Sequence, residues 1–180
     1  MSICFIIPAY KPTQDLIGVV QQLKIRPDTH VIIVDDGNTD RTFFYYIVFT
    51  DVTLLHHAIN RGKGAALKTG YDYALTHFSE LTGCITLDAD GQHRVDDVLK
   101  VLDQGRQNPN ALVLGVRDFN QKGIPLRSSF GNKVSAGVWR ILTGFALQDT
   151  QTGLRYIPKD FGVKCLLIEA DRYEFETEML

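Results

Sequence analysis

The sequence predicts an α/β fold built on a mainly parallel sheet with helices on both faces. Over the first two thirds of the chain, short apolar runs alternate with amphipathic segments, the order typical of repeated strand–helix units. The first run, ICFIIPAY, is apolar throughout, which indicates a strand buried on both faces. The length of 180 residues suits one domain.

Five strands are predicted before residue 118, and each ends at polar or turn-forming residues. They are ICFIIPAY, HVIIVDDG, VTLLHHA, GCITLDAD and NALVLGVR. The segments between them predict helices, because capping residues precede apolar side chains at helical spacing. These helices are TQDLIGVVQQLK, NTDRTFFYYIVF, GKGAALKTGYDYALTHF and VDDVLKVLDQGRQ.

The pattern changes after Arg117. Two further helices, RSSFGNKVSAGVWRILTG and KDFGVKCLLIEA, are predicted on either side of a short strand, GLRYIP. The final residues, RYEFETEML, continue in a helical pattern without a stop signal. We therefore expect a single domain over residues 1–180 that is truncated at its C-terminus.

Charge and cysteine content narrow the class of protein. Nineteen basic residues against 21 acidic ones give a net charge of −2, which argues against a nucleic-acid binder. Cys4, Cys84 and Cys165 lie in apolar stretches without a CxxC spacing, which is typical of buried reduced thiols in the cytoplasm. No apolar run approaches the roughly 20 residues that span a bilayer. We expect a cytoplasmic protein, either soluble or in peripheral contact with the cytoplasmic face of a membrane.

Two aspartates close the fourth predicted strand. Asp88 and Asp90 are two positions apart and point to the same side of a strand, where their charges repel unless a cation lies between them. A divalent metal, Mg²⁺ or Mn²⁺, removes the repulsion, and Gln92 offers a further oxygen. Because Mg²⁺ usually adds the phosphates of its ligand to one or two carboxylates, the pattern predicts a diphosphate beside the metal. The alternative is a turn at Asp90-Gly91, with one aspartate capping the next helix.

Two other strand ends carry candidate ligand-binding residues, since ligands of open parallel sheets bind beyond the carboxyl ends of the strands. In VDDGNTDRT, Asp36 suits the N–H edge of a nucleobase, and the alternative is a turn followed by a helix cap. In NRGKGAALKTG, Gly62, Gly64 and the helix start suit a phosphate. This segment matches neither the Rossmann nor the P-loop pattern.

The remaining charged and titratable residues have weaker patterns. Arg117 and Arg127 suit phosphate groups, and the alternative is a solvated surface charge. Adjacent His56 and His57 match no metal spacing and are predicted to alternate in and out of a strand. Between residues 117 and 140 the chain has five basic residues and one acid. This local excess predicts an anionic lipid phosphate as a ligand, and the alternative is an amphipathic helix with a solvated basic face.

Five motifs occur in one order along the chain, namely IIPAY, VDDGNTDRT, NRGKGAAL, LDADGQH and DTQTGLR. With these motifs the sequence resembles family 2 glycosyltransferases over nearly its whole length. It is most similar to their polyprenyl-phosphate branch, which includes the dolichol-phosphate mannosyltransferases. The resemblance implies a GT-A fold, a GDP- or UDP-sugar donor and a divalent metal, Mn²⁺ or Mg²⁺. It also implies a hexosyltransferase that inverts the sugar and passes it to a dolichyl- or undecaprenyl-type phosphate.

The resemblance also implies roles for individual residues. The residues it places against the sugar-nucleotide are Pro8, Ala9, Tyr10, Asp36, Lys63, Asp88 and Ala89. The metal ligands it implies are Asp88, Asp90 and Gln92. The catalytic positions it implies are Arg117, Arg127 and Asp149, with Ser128 beside Arg127 at the lipid phosphate. Asp149 would orient a phosphate acceptor, whereas it would be the general base for a hydroxyl acceptor.

One departure from the family and two rival functions remain open. The family often reads PAYNEE, whereas this chain has Lys11 and Pro12, so the resemblance does not decide between GDP and UDP. The first rival function is transfer to a sugar or protein hydroxyl. The second is a nucleotide-sugar-binding module without transfer activity. A nucleotidyltransferase is disfavoured, because PAYKPT lacks the glycine-rich basic loop expected after its first strand.

Overall fold

The structure, a computed structural model, describes residues 2–24, 28–40, 42–44, 52–91, 93–116 and 152–180. Some predicted features fall on other residues and lie outside the described part of the chain. These are the metal ligand Gln92, the catalytic residues Arg117, Arg127 and Asp149, the lipid-phosphate residue Ser128 and the helix RSSFGNKVSAGVWRILTG. Of the helix predicted over NTDRTFFYYIVF, residues 38–40 and 42–44 are described, and of these, residues 42–44 are helical.

Six strands form one sheet within the described residues. They are β1 (Ser2–Ala9), β2 (Thr29–Asp35), β3 (Thr53–His56), β4 (Leu81–Thr86), β5 (Val113–Leu114) and β6 (Arg155–Pro158). Their order across the sheet is β3-β2-β1-β4-β6-β5. The first four are parallel, whereas β6 runs antiparallel to both β4 and β5. The predicted α/β class with a mainly parallel sheet is therefore confirmed.

Helices pack on both faces of this sheet, as predicted. They are α1 (Asp15–Lys24), α2 (Lys63–His77), α3 (Val95–Gln107), α4 (Lys159–Cys165) and α5 (Glu174–Glu178). One face is covered by α1 and α3, and the other by α2, α4 and α5. Within the described part of the chain, none of the helices has both the length and the apolar character needed to cross a bilayer.

Strand β1 shows why its sequence is apolar throughout. Ile3, Phe5 and Ile7 point into the core under α1 and α3, whereas Cys4 and Ile6 point into the core under α2. All five side chains are at most 2% exposed, and burial of each large one stabilises the fold by about 1.5–3 kcal/mol. Because β1 pairs in parallel with both β2 and β4, the carboxyl ends of the three strands lie at one edge of the sheet.

The three cysteines are free and buried, as the sequence predicted. Burial raises the pKa of Cys4 to about 12 and that of Cys165 to about 11. Burial also raises the pKa of Cys84 well above its ordinary value. The thiols are therefore protonated at neutral pH and serve as small apolar side chains of the core.

The segment that leads into α5 lies against the first turn of α2. The backbone N–H of Ala65 donates to the carbonyl of Asp171 at 2.9 Å, and the Asp171 carboxylate pairs with Lys68 Nζ at 2.6 Å. Phe175 is fully buried beneath this contact. A Cβ atom on Gly64 would lie 2.6 Å from the Cβ of Phe175, so only glycine lets the two segments approach this closely.

We predict that Gly64→Ala destabilises the protein by about 1–3 kcal/mol, because the added methyl group overpacks against Phe175. The measurement is the free energy of unfolding in urea. The matched control is Gly18→Ala in α1, where an added Cβ meets nothing within 4 Å and better helix propensity should stabilise by about 0.5–1 kcal/mol. Equal stability of the two variants would contradict the close packing at Gly64.

Candidate active site

One asparagine side chain ties the loop after β1 to the loop after β2. Asn38 Nδ2 donates to the Ala9 carbonyl at 2.8 Å and to Asp35 Oδ1 at 2.6 Å. Its Oδ1 accepts from the backbone N–H of Lys11 at 2.7 Å. The backbone of Lys11 has a φ of 51°. This value lies in the left-handed region, which residues other than glycine rarely adopt. Asn38 therefore holds the backbone from which Tyr10 and Lys11 line the cleft described below.

Asp36, the predicted nucleobase contact, is buried and holds the loop before α2. Its Oδ1 accepts from Arg61 N at 2.9 Å and from His57 Nδ1 at 2.7 Å. Its Oδ2 accepts from Gly62 N at 2.9 Å. A carboxylate has about four acceptor positions, so one position on Oδ2 remains for a further donor. The contact with a nucleobase stays a prediction, and the structure adds a structural role that the sequence did not reveal.

The adjacent histidines pair with the adjacent aspartates of the neighbouring strand. The register places His56 beside Asp35, and His56 Nδ1 lies 2.9 Å from Asp35 Oδ2. One residue further on, buried His57 contacts Asp36, and its Nε2 lies 2.9 Å from Thr69 Oγ1. The side chain of His56 is 37% exposed and that of His57 is 5% exposed, so the predicted alternation is confirmed. The sequence analysis did not predict that His56 and His57 pair with Asp35 and Asp36, although both dipeptides stand at the ends of predicted strands.

A chain of ionic contacts crosses the end of β4. Lys63 Nζ lies 2.6 Å from Asp88 Oδ1 and 2.7 Å from Glu176 Oε2. On the other side, His93 Nε2 lies 3.3 Å from Asp88 Oδ2. Lys63 therefore bridges the predicted metal site and α5, and its contact with Glu176 joins residues more than 100 positions apart in the chain.

These contacts keep the groups charged in spite of their burial. Burial alone would raise the pKa of Asp88, but the hydrogen bond from His93 and the Lys63 ammonium hold that pKa well below its usual range. Burial lowers the pKa of Lys63, but the carboxylates of Glu176 and Asp88 outweigh this effect and leave it raised. At neutral pH Asp88 is therefore an anion that faces the cleft.

A cleft of about 600 Å³ opens at this edge of the sheet, within the size range of small-molecule sites. It is lined by every described residue that the resemblance assigns to the sugar-nucleotide or the metal, namely Pro8, Ala9, Tyr10, Asp36, Lys63, Asp88, Ala89 and Asp90. Arg172 and Tyr173, which precede α5, complete one wall. The structure thus brings the predicted residues together, and their individual roles stay predictions.

The oxygen atoms that line the cleft suit a metal ion whose coordination is completed by a bound ligand. Among the described residues, there is no group of three His, Cys, Asp or Glu side chains placed to hold a metal. Ionised Asp88 and neighbouring Asp90 supply hard oxygen atoms, the kind that Mg²⁺ and Mn²⁺ prefer. Neither aspartate caps α3, because its N-cap is Arg94 and no side chain bonds there. The Asp90-Gly91 turn is present, with a φ of 72° at Gly91, and is compatible with a metal site.

The glycine before α2 has a packing role that the sequence did not reveal. A Cβ on Gly62 would lie 2.6 Å from the Asp171 carbonyl oxygen and 2.8 Å from Arg172 Cγ. The backbone N–H of Ala65 already donates to Asp171, so it is not available to a phosphate. Binding of a phosphate by Gly62, Gly64 and the other N–H groups of this helix start stays a prediction. The segment that covers it carries Arg172, Tyr173 and Glu176, which the sequence indicated only as the end of a helix.

We predict that Asp36→Ala destabilises the protein by about 3 kcal/mol, because it leaves two backbone N–H groups and His57 without their charged acceptor. The measurement is urea unfolding. Asp103→Ala, at an exposed position of α3, is the control and should change stability by no more than about 0.5 kcal/mol. A cost below about 1 kcal/mol for Asp36→Ala would show that the loop before α2 does not depend on this carboxylate.

The family model described as Glycosyl transferase family 2 matches residues 4–157. Since this match spans most of the chain, the protein belongs to glycosyl transferase family 2. The protein is thus a glycosyltransferase with the GT-A fold, as the sequence predicted.

Named relatives support the branch within the family. The chain is 31% identical to UDP-N-acetylglucosamine–dolichyl-phosphate N-acetylglucosaminyltransferase of Methanococcus voltae, and the match covers 99% of this chain and 78% of that protein. It is 28% identical to polyprenol monophosphomannose synthase of Mycolicibacterium smegmatis, with 97% and 69% covered. The predicted similarity to the dolichol-phosphate branch is therefore confirmed.

The solved structures agree on the fold. Glucosyl-3-phosphoglycerate synthase from Mycobacterium tuberculosis, crystallised with Mn²⁺, UDP and phosphoglyceric acid, superposes with a TM-score of 0.71 at 15% sequence identity. The match covers 99% of this chain and 62% of that one, so this chain spans about three fifths of its length. At this identity the likeness supports the GT-A fold alone.

Proposed function

We propose that the protein transfers a sugar from a nucleoside diphosphate sugar to a polyprenyl phosphate, with inversion at the sugar. The observation that carries the proposal is the cleft at the ends of β1, β2 and β4. There ionised Asp88 and adjacent Asp90 share one site with the cation Lys63. The names of two relatives support the acceptor, because one names dolichyl-phosphate as the acceptor and the other names polyprenol monophosphomannose as the product.

For the donor we propose a UDP-sugar. The relative from Methanococcus voltae is named for a UDP-sugar donor, and the superposed synthase was crystallised with UDP. In this cleft, the remaining acceptor position on Asp36 Oδ2 suits the N–H edge of a base such as uracil. Tyr10, which is 51% exposed, offers an aromatic face beside it.

For the cofactor we propose a divalent metal held by Asp88, Asp90 and Gln92. Such a metal would stabilise the negative charge that develops on the departing diphosphate. The chain itself sets the charge of Asp88 in advance, since His93 and Lys63 hold the pKa of that carboxyl well below its usual range. The Mn²⁺ in the superposed synthase makes Mn²⁺ the first ion to test.

In the proposed reaction, an oxygen of the acceptor phosphate attacks the anomeric carbon from the face opposite the diphosphate. The new carbon–oxygen bond forms as the bond to the diphosphate breaks, and the diphosphate leaves with the electron pair. A phosphate monoester is already anionic near neutral pH, because its second pKa is about 6. Asp149 would then orient the acceptor, and Arg117 and Arg127 would neutralise its charge. Because such an acceptor is a membrane lipid, we place the activity at the cytoplasmic face of a membrane.

We predict that UDP binds more tightly with Mn²⁺ than without it and more tightly than GDP, as measured by titration calorimetry. Asp90→Asn should abolish the part of the UDP affinity that depends on Mn²⁺, because a neutral amide is a much poorer ligand. Asp103→Asn is the control at an exposed position and should bind like the wild type. If Asp90→Asn kept the full Mn²⁺ effect, the metal assignment would be wrong.

We predict transfer of labelled sugar from the donor to a short-chain polyprenyl phosphate, measured by extraction of the lipid product. Arg127→Ala should raise the KM for the lipid about tenfold, since a charged hydrogen bond contributes about 1.5–3 kcal/mol. The control is Arg106→Ala, an exposed position of α3. Transfer to a soluble sugar hydroxyl without any lipid product would overturn the acceptor assignment and make Asp149 the candidate base. Nucleotide binding without any transfer would favour a binding module.

A further inference from the structure

The cleft contains three described basic residues, and their surroundings differ. The side chain of Lys63 is 17% exposed and lies between Asp88 and Glu176, so its charge is already balanced within the protein. Lys11 Nζ lies 5.4 Å from the ring centroid of Tyr10, in a cation–π contact. Arg172 is exposed and lines the cleft. Its guanidinium makes no hydrogen bond or ion pair with any of the residues that the structure describes.

The backbone of Arg172 is held from both sides. On its N-terminal side, the Asp171 carbonyl accepts from Ala65 N and the Asp171 carboxylate pairs with Lys68 Nζ. On its C-terminal side, the Arg172 carbonyl accepts from Phe175 N at 3.3 Å, and Phe175 is fully buried. These contacts fix where the Arg172 side chain starts, which lowers the entropy lost when it binds a ligand.

Gly62 allows the Arg172 side chain to cross the start of α2. A Cβ at Gly62 would lie 2.8 Å from Arg172 Cγ, so any larger residue there would displace the side chain. A second anchor lies deeper in the fold, where fully buried Arg155 donates through Nη1 to the carbonyl of Glu176 at 2.6 Å. The wall that carries Arg172 is thus anchored both to α2 and to β6.

We propose that Arg172 is a phosphate-binding residue of this cleft, which takes the oxygen atoms of the donor diphosphate or of the acceptor phosphate. A guanidinium presents several N–H donors in a planar fork that matches phosphate geometry. Lys63 has only one N–H left once it pairs with Asp88 and Glu176, so it cannot offer a phosphate the same two-donor fork. This inference rests on the proposed function, because it assigns a further binding residue to the same site.

The test compares the wild type with Arg172→Gln and Arg172→Lys in titrations with UDP, uridine and pyrophosphate, each with Mn²⁺. Arg172→Gln should weaken UDP and pyrophosphate binding about tenfold, the effect of losing a charged hydrogen bond, and should leave uridine binding unchanged. Arg172→Lys should restore part of the affinity, because it keeps the charge without the fork. Arg106→Gln is the control that removes a guanidinium from an exposed position of α3.

A second measurement, the KM for a short-chain polyprenyl phosphate, separates the two sources of phosphate. A rise of about tenfold in this KM for Arg172→Gln, with unchanged UDP affinity, would assign Arg172 to the acceptor phosphate. Melting temperatures of Arg172→Gln and the wild type should agree, since the guanidinium has no partner within the described residues. If the wild type binds UDP and transfers sugar and Arg172→Gln matches it in both measurements, only this inference is overturned. If the wild type binds none of the phosphate probes, the proposed function and this inference fail together.

Discussion

The ammonium group of Lys63 joins three segments that are far apart in the chain. It stands at the start of α2, contacts Asp88 after β4 and contacts Glu176 in α5. A buried charge is tolerated only when it is paired, because its transfer from water costs several kcal/mol. Removal of either carboxylate would leave Lys63 with incomplete compensation. The position of α5, and with it one wall of the cleft, therefore depends on this pair of contacts.

The same arrangement prepares the cleft for a cationic and an anionic ligand together. Asp88 stays ionised because Lys63 and His93 offset the effect of its burial on the pKa. Lys63 contacts Oδ1 at 2.6 Å, whereas His93 contacts Oδ2 at the longer distance of 3.3 Å. Oδ2 is thus the oxygen whose protein contact is weaker and more easily exchanged for a metal. A diphosphate would bring negative charge to the same place, where Arg172 lies exposed.

A second network supports the opposite side of the cleft. Asp36 accepts from two backbone N–H groups and from His57, while Asn38 ties the ends of β1 and β2 together. These polar contacts lie at the edge of the sheet where three parallel strands end. Backbone N–H and C=O groups beyond this edge cannot bond to a neighbouring strand and need other hydrogen-bond partners. The two networks meet in the motif NRGKGAAL, where Gly62 N donates to Asp36 and Lys63 pairs with Asp88 and Glu176.

The sequence by itself determined the α/β class, the six strands as elements, the edge of the sheet that carries the cleft and the described residues that line it from β1, β2 and β4. It could do so because apolar runs, turn residues and acids at strand ends are local patterns, and parallel strands bring their carboxyl ends to one edge. The fifth strand, predicted over NALVLGVR, is shorter in the structure and covers Val113–Leu114. The sixth was predicted as the short strand GLRYIP and is present, but its place was not predicted.

Only the tertiary structure decided that β6 inserts antiparallel between β4 and β5, and that α5 returns to the start of α2. The contacts of Arg172 with Gly62, of Phe175 with Gly64 and of Glu176 with Lys63 join residues more than 100 positions apart. The periodicity of a helix records which side is apolar and carries no information on which distant segment that side will meet. For that reason the sequence indicated a phosphate cradle at these glycines and did not reveal that another part of the chain packs against them.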